Sequence, residues 1–242
     1  MPSELRLSFG NVAETYHRVR PPYSQELLCQ AQAKLRLDRD ARVLDLAAGT
    51  GRLTEELAQR FAHVVAVEPN DSMRAMIAAG EVRAGSAEAI PLPDASVDAV
   101  FVGEAFHWFE ASRAIPEIAR VLRPHGGLAV IWTHWWETEP PLPDAAQELL
   151  REPWERFASQ RNPPWDDAFS DSPFEPLQYE RFEEAITVDA DRLLELYSTT
   201  SSIAALDPDE RASLLANVRA LVTGPFQLPL KHELTWMRLT SW

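Results

Sequence analysis

The sequence predicts an α/β fold, a doubly wound and mostly parallel sheet with lid or cap segments. Two observations carry that expectation. Short, mainly apolar runs recur at 42–46, 64–67, 97–102 and 128–132, with helical stretches between them. The first run contains an acid and leads through Ala47-Ala48-Gly49-Thr50-Gly51 into a helix predicted over 54–60. Strand, turn of small residues and helix make the first half of a nucleotide-binding βαβ unit. Glycine lets a backbone approach a ligand closely, because no Cβ intervenes.

Composition sets the outer bounds. A chain of 242 residues is long enough to bury a full core. It reads as one domain, 1–242, with an N-terminal lid segment 1–38, a core 39–132, an insertion 133–176 rich in Pro and Trp, and a C-terminal cap 177–242. Lys and Arg total 23 against 37 Asp and Glu, a net charge of −14. That charge repels phosphate backbones and anionic membrane surfaces, which argues against nucleic acid and membrane as partners. Cys29 is the single cysteine, so neither an intrachain disulfide nor a cysteine-built metal site is expected. No apolar stretch approaches about 18 residues. The start, Met1-Pro2-Ser3-Glu4, lacks a basic region followed by an apolar run. A cytoplasmic protein is the expectation.

Along the chain, Pro21 and Pro22 stop a first helical stretch. Ser24 is placed to cap a second helix, whose apolar face is Leu27, Leu28, Ala31 and Leu35. The run 64–67 leads into Glu68, at the spacing of roughly 20 residues expected for an acid that binds ribose hydroxyls. Such an acid also disfavours a 2′-phosphate. Pro69, Asn70 and Asp71 turn the chain into a helix predicted over 73–79, and a short third strand is predicted at 81–84.

The fourth strand, 97–102, runs into Gly103-Glu104-Ala105-Phe106-His107-Trp108-Phe109. Ligands of open α/β sheets bind beyond the carboxyl ends of the strands, so this loop is expected to face the site. An imidazole titrates near neutral pH, so His107 is a candidate to orient or deprotonate an acceptor; the alternative is that it fixes the loop by hydrogen bonds. Pro116 predicts that the next helix settles only near that residue. Arg123-Pro124-His125-Gly126-Gly127 reads as a stop and turn before the fifth strand.

From 133 to 176 prolines break the chain into short pieces, with Trp135, Trp136, Trp154 and Trp165 among them. They suit either a lid over an apolar or planar ligand or an aromatic minicore. A late strand is predicted at 181–188. Asp207-Pro208-Asp209-Glu210 is a helix start, with an Asp cap and Pro at the first position. Two further strands are predicted at 226–230 and 233–239.

In their order these motifs resemble those of class I S-adenosylmethionine-dependent methyltransferases acting on small molecules, including trans-aconitate methyltransferases. The family's cofactor loop has an Asp and then three glycines at alternate positions. Asp45, Gly49 and Gly51 match, and Ala47 stands where the first glycine usually is, which suffices if the position needs only a small side chain. Gly85-Ser86-Ala87-Glu88 resembles the family's adenine-binding segment, with Ser86 in place of the usual Asp. Tyr16, Arg20 and Pro21 resemble its N-terminal segment, and the planar fork of Arg20 suits the cofactor's carboxylate. His107-Trp108-Phe109, Pro124-His125-Gly126-Gly127 and the final antiparallel strand pair complete the likeness.

The resemblance implies a seven-stranded, Rossmann-like sheet and S-adenosylmethionine as cofactor. The cofactor would be held by Tyr16, Arg20, Asp45, Ala47, Gly49, Gly51, Glu68, Pro69, Ser86, Ala87 and Gly103. No metal is implied. The acceptor would be a small molecule, a carboxylate or a hydroxyl. A nicotinamide-dependent oxidoreductase uses the same strand–turn–helix logic, but the glycines are too few and the late strand pair is unexplained. A non-catalytic S-adenosylmethionine-binding protein is the other alternative.

Overall fold

The computed structural model describes residues 13–135, 142–156 and 165–240. Trp136, Pro140, Pro141, Pro163 and Pro164 lie outside them. Seven strands, β1 (Arg42–Leu46), β2 (His63–Val67), β3 (Glu81–Arg83), β4 (Val97–Gly103), β5 (Leu122–His134), β6 (Gln178–Val188) and β7 (Phe226–Arg238), form one sheet in the order β3-β2-β1-β4-β5-β7-β6. β1 to β5 pair in parallel. β6 and β7 oppose one another: Arg181 meets Glu233 at 2.7 Å and Thr187 meets Gln227 at 2.8 Å. β7 also opposes β5, since the Leu239 N–H donates to Gly126 O at 2.8 Å while His232 meets Thr133 at 3.0 Å. The sheet is therefore mixed, with a parallel body and an antiparallel end.

The two faces of the parallel body are legible in its side chains. Successive residues of a strand point to opposite faces. Leu44, Leu46, Val65, Val67, Val100, Val102, Leu128 and Val130 enter one apolar cluster, with Ala114, Ile115, Ile118 and Val121 of helix Ala111–Val121 packed among them. Val43, Val64, Ala99, Phe101, Ala129 and Ile131 enter the other, covered by Leu27, Leu28 and Ala31 of helix Gln25–Lys34 and by Leu53 and Leu57 of helix Arg52–Arg60. Burial on both faces is why these strands read as continuous apolar runs.

Packing divides the chain into two compact units. One comprises described residues within Pro22–Thr133, Asn162–Phe182 and His232–Trp242, and holds the parallel body. The other comprises described residues within Met1–Pro21, His134–Arg161 and Glu183–Lys231. The second has its own core, in which Val19, Trp135, Ala146, Leu193, Leu196 and Val218 are all nearly or fully buried.

Several elements differ from expectation. The helix at Pro116 starts at Ala111 and carries the proline inside it, because its buried apolar face holds both sides of the break together. The helix expected over 73–79 is only Asp71–Arg74; beyond it the backbone of Ile77 packs on Gly51. Residues 123–127 lie within β5, as a register shift between the pairs Val97↔Leu122 and Ala99↔Gly127, with His125 at φ 64°. Ser24 stands at its helix start without a side-chain capping bond. The two last strands are one, Phe226–Arg238. Its burial alternates through Leu228, Leu230, His232 and Leu234, so Lys231-His232 is no turn. Helix Pro208–Leu221 begins as expected, with the Asp207 carboxylate accepting the Asp209 N–H at 2.9 Å.

Candidate cofactor and acceptor site

Asp45 lies near the carboxyl end of β1, 1% exposed, and its Oδ2 accepts the Thr54 hydroxyl at 2.6 Å. Burial pushes its pKa up to about 7; the Thr54 bond opposes that rise, and the charge of Glu68 adds to it. Past Leu46, Ala47, Gly49 and Gly51 all have left-handed backbones, at φ 59°, 59° and 87°. The alternate spacing of the motif thus follows from the turn, in which every second residue needs a conformation that glycine adopts freely. For Ala47 small size is therefore only half the requirement: alanine holds the left-handed region against a strain of about 1–2 kcal/mol.

A Cβ on Gly51 would stand 3.0 Å from Ile77 Cγ2, whereas one on Gly49 would meet Met73 Cε at an ordinary 3.5 Å. Gly51 is thus required by backbone and packing together, Gly49 by backbone.

Glu68 follows β2 and is 5% exposed. Its Oε2 accepts the Gly49 N–H at 2.8 Å and its Oε1 the Asn70 N–H at 2.8 Å. An ionised carboxylate has about four acceptor positions, and these two N–H groups each take one. The Pro69 carbonyl faces Arg74 Nη1 at 3.4 Å, and the Glu68 N–H donates to Arg83 O at 3.2 Å. That last bond brings the end of β3 alongside. Ser86 and buried Ala87 follow β3 in a tight turn closed by the Ala89 N–H on Ser86 O at 3.2 Å.

Gly103 ends β4, and Tyr23 occupies the place of its missing side chain: Tyr23 Cζ lies 2.9 Å from where a Cβ would stand. On the loop beyond, the His107 ring centre is 4.3 Å from that of Trp108 and 5.2 Å from that of Trp132. Phe106 is buried, 4.7 Å from Trp165 and 5.6 Å from Phe169. Trp165 therefore belongs to an aromatic cluster under this loop, while Trp135 is 1% exposed in the core of the other unit and Trp154 is 38% exposed.

Tyr16 and Arg20 belong to that other unit. Arg20 donates from Nε to Thr199 Oγ1 at 3.0 Å and from Nη2 to Thr199 O at 2.8 Å. Its guanidinium lies 4.8 Å from the Tyr16 ring centre and 5.5 Å from that of Trp135. The expected pair is thus brought together around Thr199.

Motif-based reasoning passes over one acid, Glu104. It is a non-glycine residue at φ 58°, directly after β4. Its N–H donates to Ile131 O at 2.9 Å, and its Oε1 accepts the N–H of Thr133. The Thr133 hydroxyl lies 3.0 Å from His232 Nδ1, and both residues are buried. The one available signal is an acid at the carboxyl end of a core strand.

The sheet order, the left-handed turn after Asp45 and the acid after β2 define an α/β protein of the nucleotide-cofactor class. Residues 44–130 match a family described as a methyltransferase domain. The chain is 36% identical over 226 residues to an uncharacterised methyltransferase of Mycobacterium tuberculosis, covering 90% of this chain and 87% of that one. It is 31% identical over 218 residues to an uncharacterised methyltransferase-like protein of Schizosaccharomyces pombe, covering 87% and 84%. The fold is similar to that of the YcgJ protein of Bacillus subtilis, with a TM-score of 0.57 at 20% identity over 90% of this chain and 100% of that one. The chain belongs to the class I S-adenosylmethionine-dependent methyltransferases.

Proposed function

We propose that this methyltransferase binds S-adenosylmethionine at the carboxyl ends of β1, β2 and β4 and methylates a small-molecule acceptor there. The observation that carries the reading is the double anchoring of Glu68, which fixes a carboxylate beside the left-handed loop. The residues present suit the cofactor: a carboxylate for a vicinal diol, a glycine turn open to close approach, and two acids, Asp45 and Glu68, near a positively charged ligand.

Bound there, the cofactor supplies a methyl group on a sulfonium, open to in-line displacement. The chain's own contribution is alignment and exclusion of water. Glu68 accepts from the ribose hydroxyls. Asp45 holds the loop through Thr54. Ser86 and Ala87 border the adenine. His107, packed beside Trp108 and Trp132, orients the acceptor.

Calorimetry with S-adenosylmethionine and with NAD tests the reading. One site for the former and no comparable binding of NAD is expected; equal or tighter NAD binding would sink it. Release of S-adenosylhomocysteine on turnover, followed by mass spectrometry, separates an enzyme from a protein that only binds the cofactor.

A further inference from the structure

We propose that Arg120 and Glu117 are positioning residues for adenine recognition. From helix Ala111–Val121 they hold the turn at Ser86 and Ala87 rigid, so that its backbone tells an amino-purine from an oxo-purine. The inference rests on the methyltransferase reading and deepens it at the adenine end of the cofactor site.

The need arises at Ser86. A hydroxyl rotates, accepting from an amino group or donating to a carbonyl in its place. The Ser86 side chain therefore suits both kinds of ring. Backbone N–H and C=O groups have a fixed sense, so discrimination falls to them, and it is only as sharp as the turn is fixed. Residues 84–96, between β3 and β4, contain no helix and only the isolated bridge of Ser86 with Ala89. Such a segment must find partners for its backbone elsewhere.

One helix supplies them. Glu117 Oε2 accepts the Ile90 N–H at 2.9 Å. Arg120 donates to Ile90 O at 3.0 Å, to Leu92 O at 2.8 Å and to the Asp94 carboxylate at 2.8 Å. Its remaining donors form a two-point pair with Glu117, at 2.7 and 2.8 Å. Every N–H of the guanidinium is thereby used. The Arg120 bonds hold the Glu117 carboxyl below the ordinary carboxylate range, so the pair is charged at neutral pH.

The hold reaches the turn by contact. Pro91 Cδ lies 2.6 Å from where a Cβ on Gly85 would stand, so Pro91 rests on the residue before Ser86. The Pro91 carbonyl also accepts from Arg83 Nη1 at 2.7 Å. On the other side of the turn, Glu88 Oε1 accepts the N–H of Glu110, at the start of the same helix, at 3.0 Å. Ile90 and Leu92 are already buried in the core, so their side chains keep the segment docked. What the charged pair adds is the setting of the backbone between them.

The test compares S-adenosylhomocysteine with S-inosylhomocysteine, in which an oxygen replaces the purine amino group, by calorimetry on the full-length protein. The native protein should bind the former at least about tenfold more tightly. Arg120→Lys keeps the charge, but a compact ammonium cannot reach all the partners of the fork at once. Glu117→Gln keeps an acceptor and removes the charge. In each, the preference should shrink at least about threefold, chiefly through weaker binding of S-adenosylhomocysteine. A pair with a merely structural role would change the melting temperature and leave the ratio alone. A smaller change of ratio in either folded variant, a native preference below about tenfold, or loss of the fold in both variants would overturn the proposal. Native protein that binds neither ligand would sink the cofactor reading, and this inference with it.

Discussion

Glu68 Oε2 accepts the N–H of Gly49, 19 residues earlier in the chain, at 2.8 Å. An acid following one strand thereby holds the loop that leaves its neighbour. The turn is held open by the protein itself, so a ligand need not order it on arrival.

Removing that acid should be felt twice. Glu68→Ala leaves the Gly49 and Asn70 N–H groups without their charged acceptor, and a buried unsatisfied donor costs about 1–3 kcal/mol. Urea unfolding should show a loss in that range for each donor that water does not reach. Cofactor affinity should fall roughly tenfold to a hundredfold, the worth of hydrogen bonds to a charged group. Unchanged affinity in a folded variant would remove Glu68 from the ribose.

The two glycines should separate. Gly49→Ala meets only the left-handed strain, about 1–2 kcal/mol, because Met73 leaves room for the methyl. Gly51→Val adds a collision with Ile77 and should cost about 1–3 kcal/mol more, besides abolishing cofactor binding. Thermal unfolding of both variants checks this. Equal melting temperatures would show that Ile77 yields to a side chain.

Asp45 predicts an uncommon pH dependence. Its pKa is raised from 3.8 to about 7. Between those values the folded state binds more protons than the unfolded chain, so the Asp45 contribution to stability falls as pH rises and levels off above about 7. Asp45→Asn has no charge to bury and still accepts from Thr54. Its stability relative to the native protein should therefore rise with pH across that window, by at most about 1.4 kcal/mol per unit. Denaturant midpoints at pH 5.5 and pH 8 measure it, and a constant difference would contradict the shift.

His107→Ala removes a ring that packs, tilted, against two indoles. Aromatic pairs are worth about 0.5–1.5 kcal/mol, so the Michaelis constant for the acceptor should rise about twofold to tenfold with S-adenosylmethionine affinity unchanged. A large fall in turnover with acceptor binding intact would make His107 a base. Constants equal to those of the native protein would leave it to loop packing.

The parallel body was legible because local pattern and tertiary environment agree there. β1 is buried on both faces, and Asp45 near its end and Glu68 just after β2 stand at the spacing that the strand–turn–helix–strand unit imposes. β7 was not, because Lys231-His232 looks like a polar break until the Thr133 hydroxyl is seen beside the His232 ring. Pro116 likewise misled, since a local rule was overridden by a buried helical face. Glu104 escaped notice because its meaning depends on a backbone angle and on an amide 29 residues away, neither of which a motif records.

Ala47 bears on how such enzymes are found. Replacing it with glycine would relieve about 1–2 kcal/mol of left-handed strain, yet would loosen the unfolded chain by roughly 0.5–1 kcal/mol. The two residues are therefore nearly interchangeable there, and drift between them meets little selection. A search pattern that insists on glycine at the first of the three alternate positions will pass over proteins of this kind. One that asks instead for any residue able to turn left-handed, followed about 20 residues later by an acid positioned to hold the loop, will recover them.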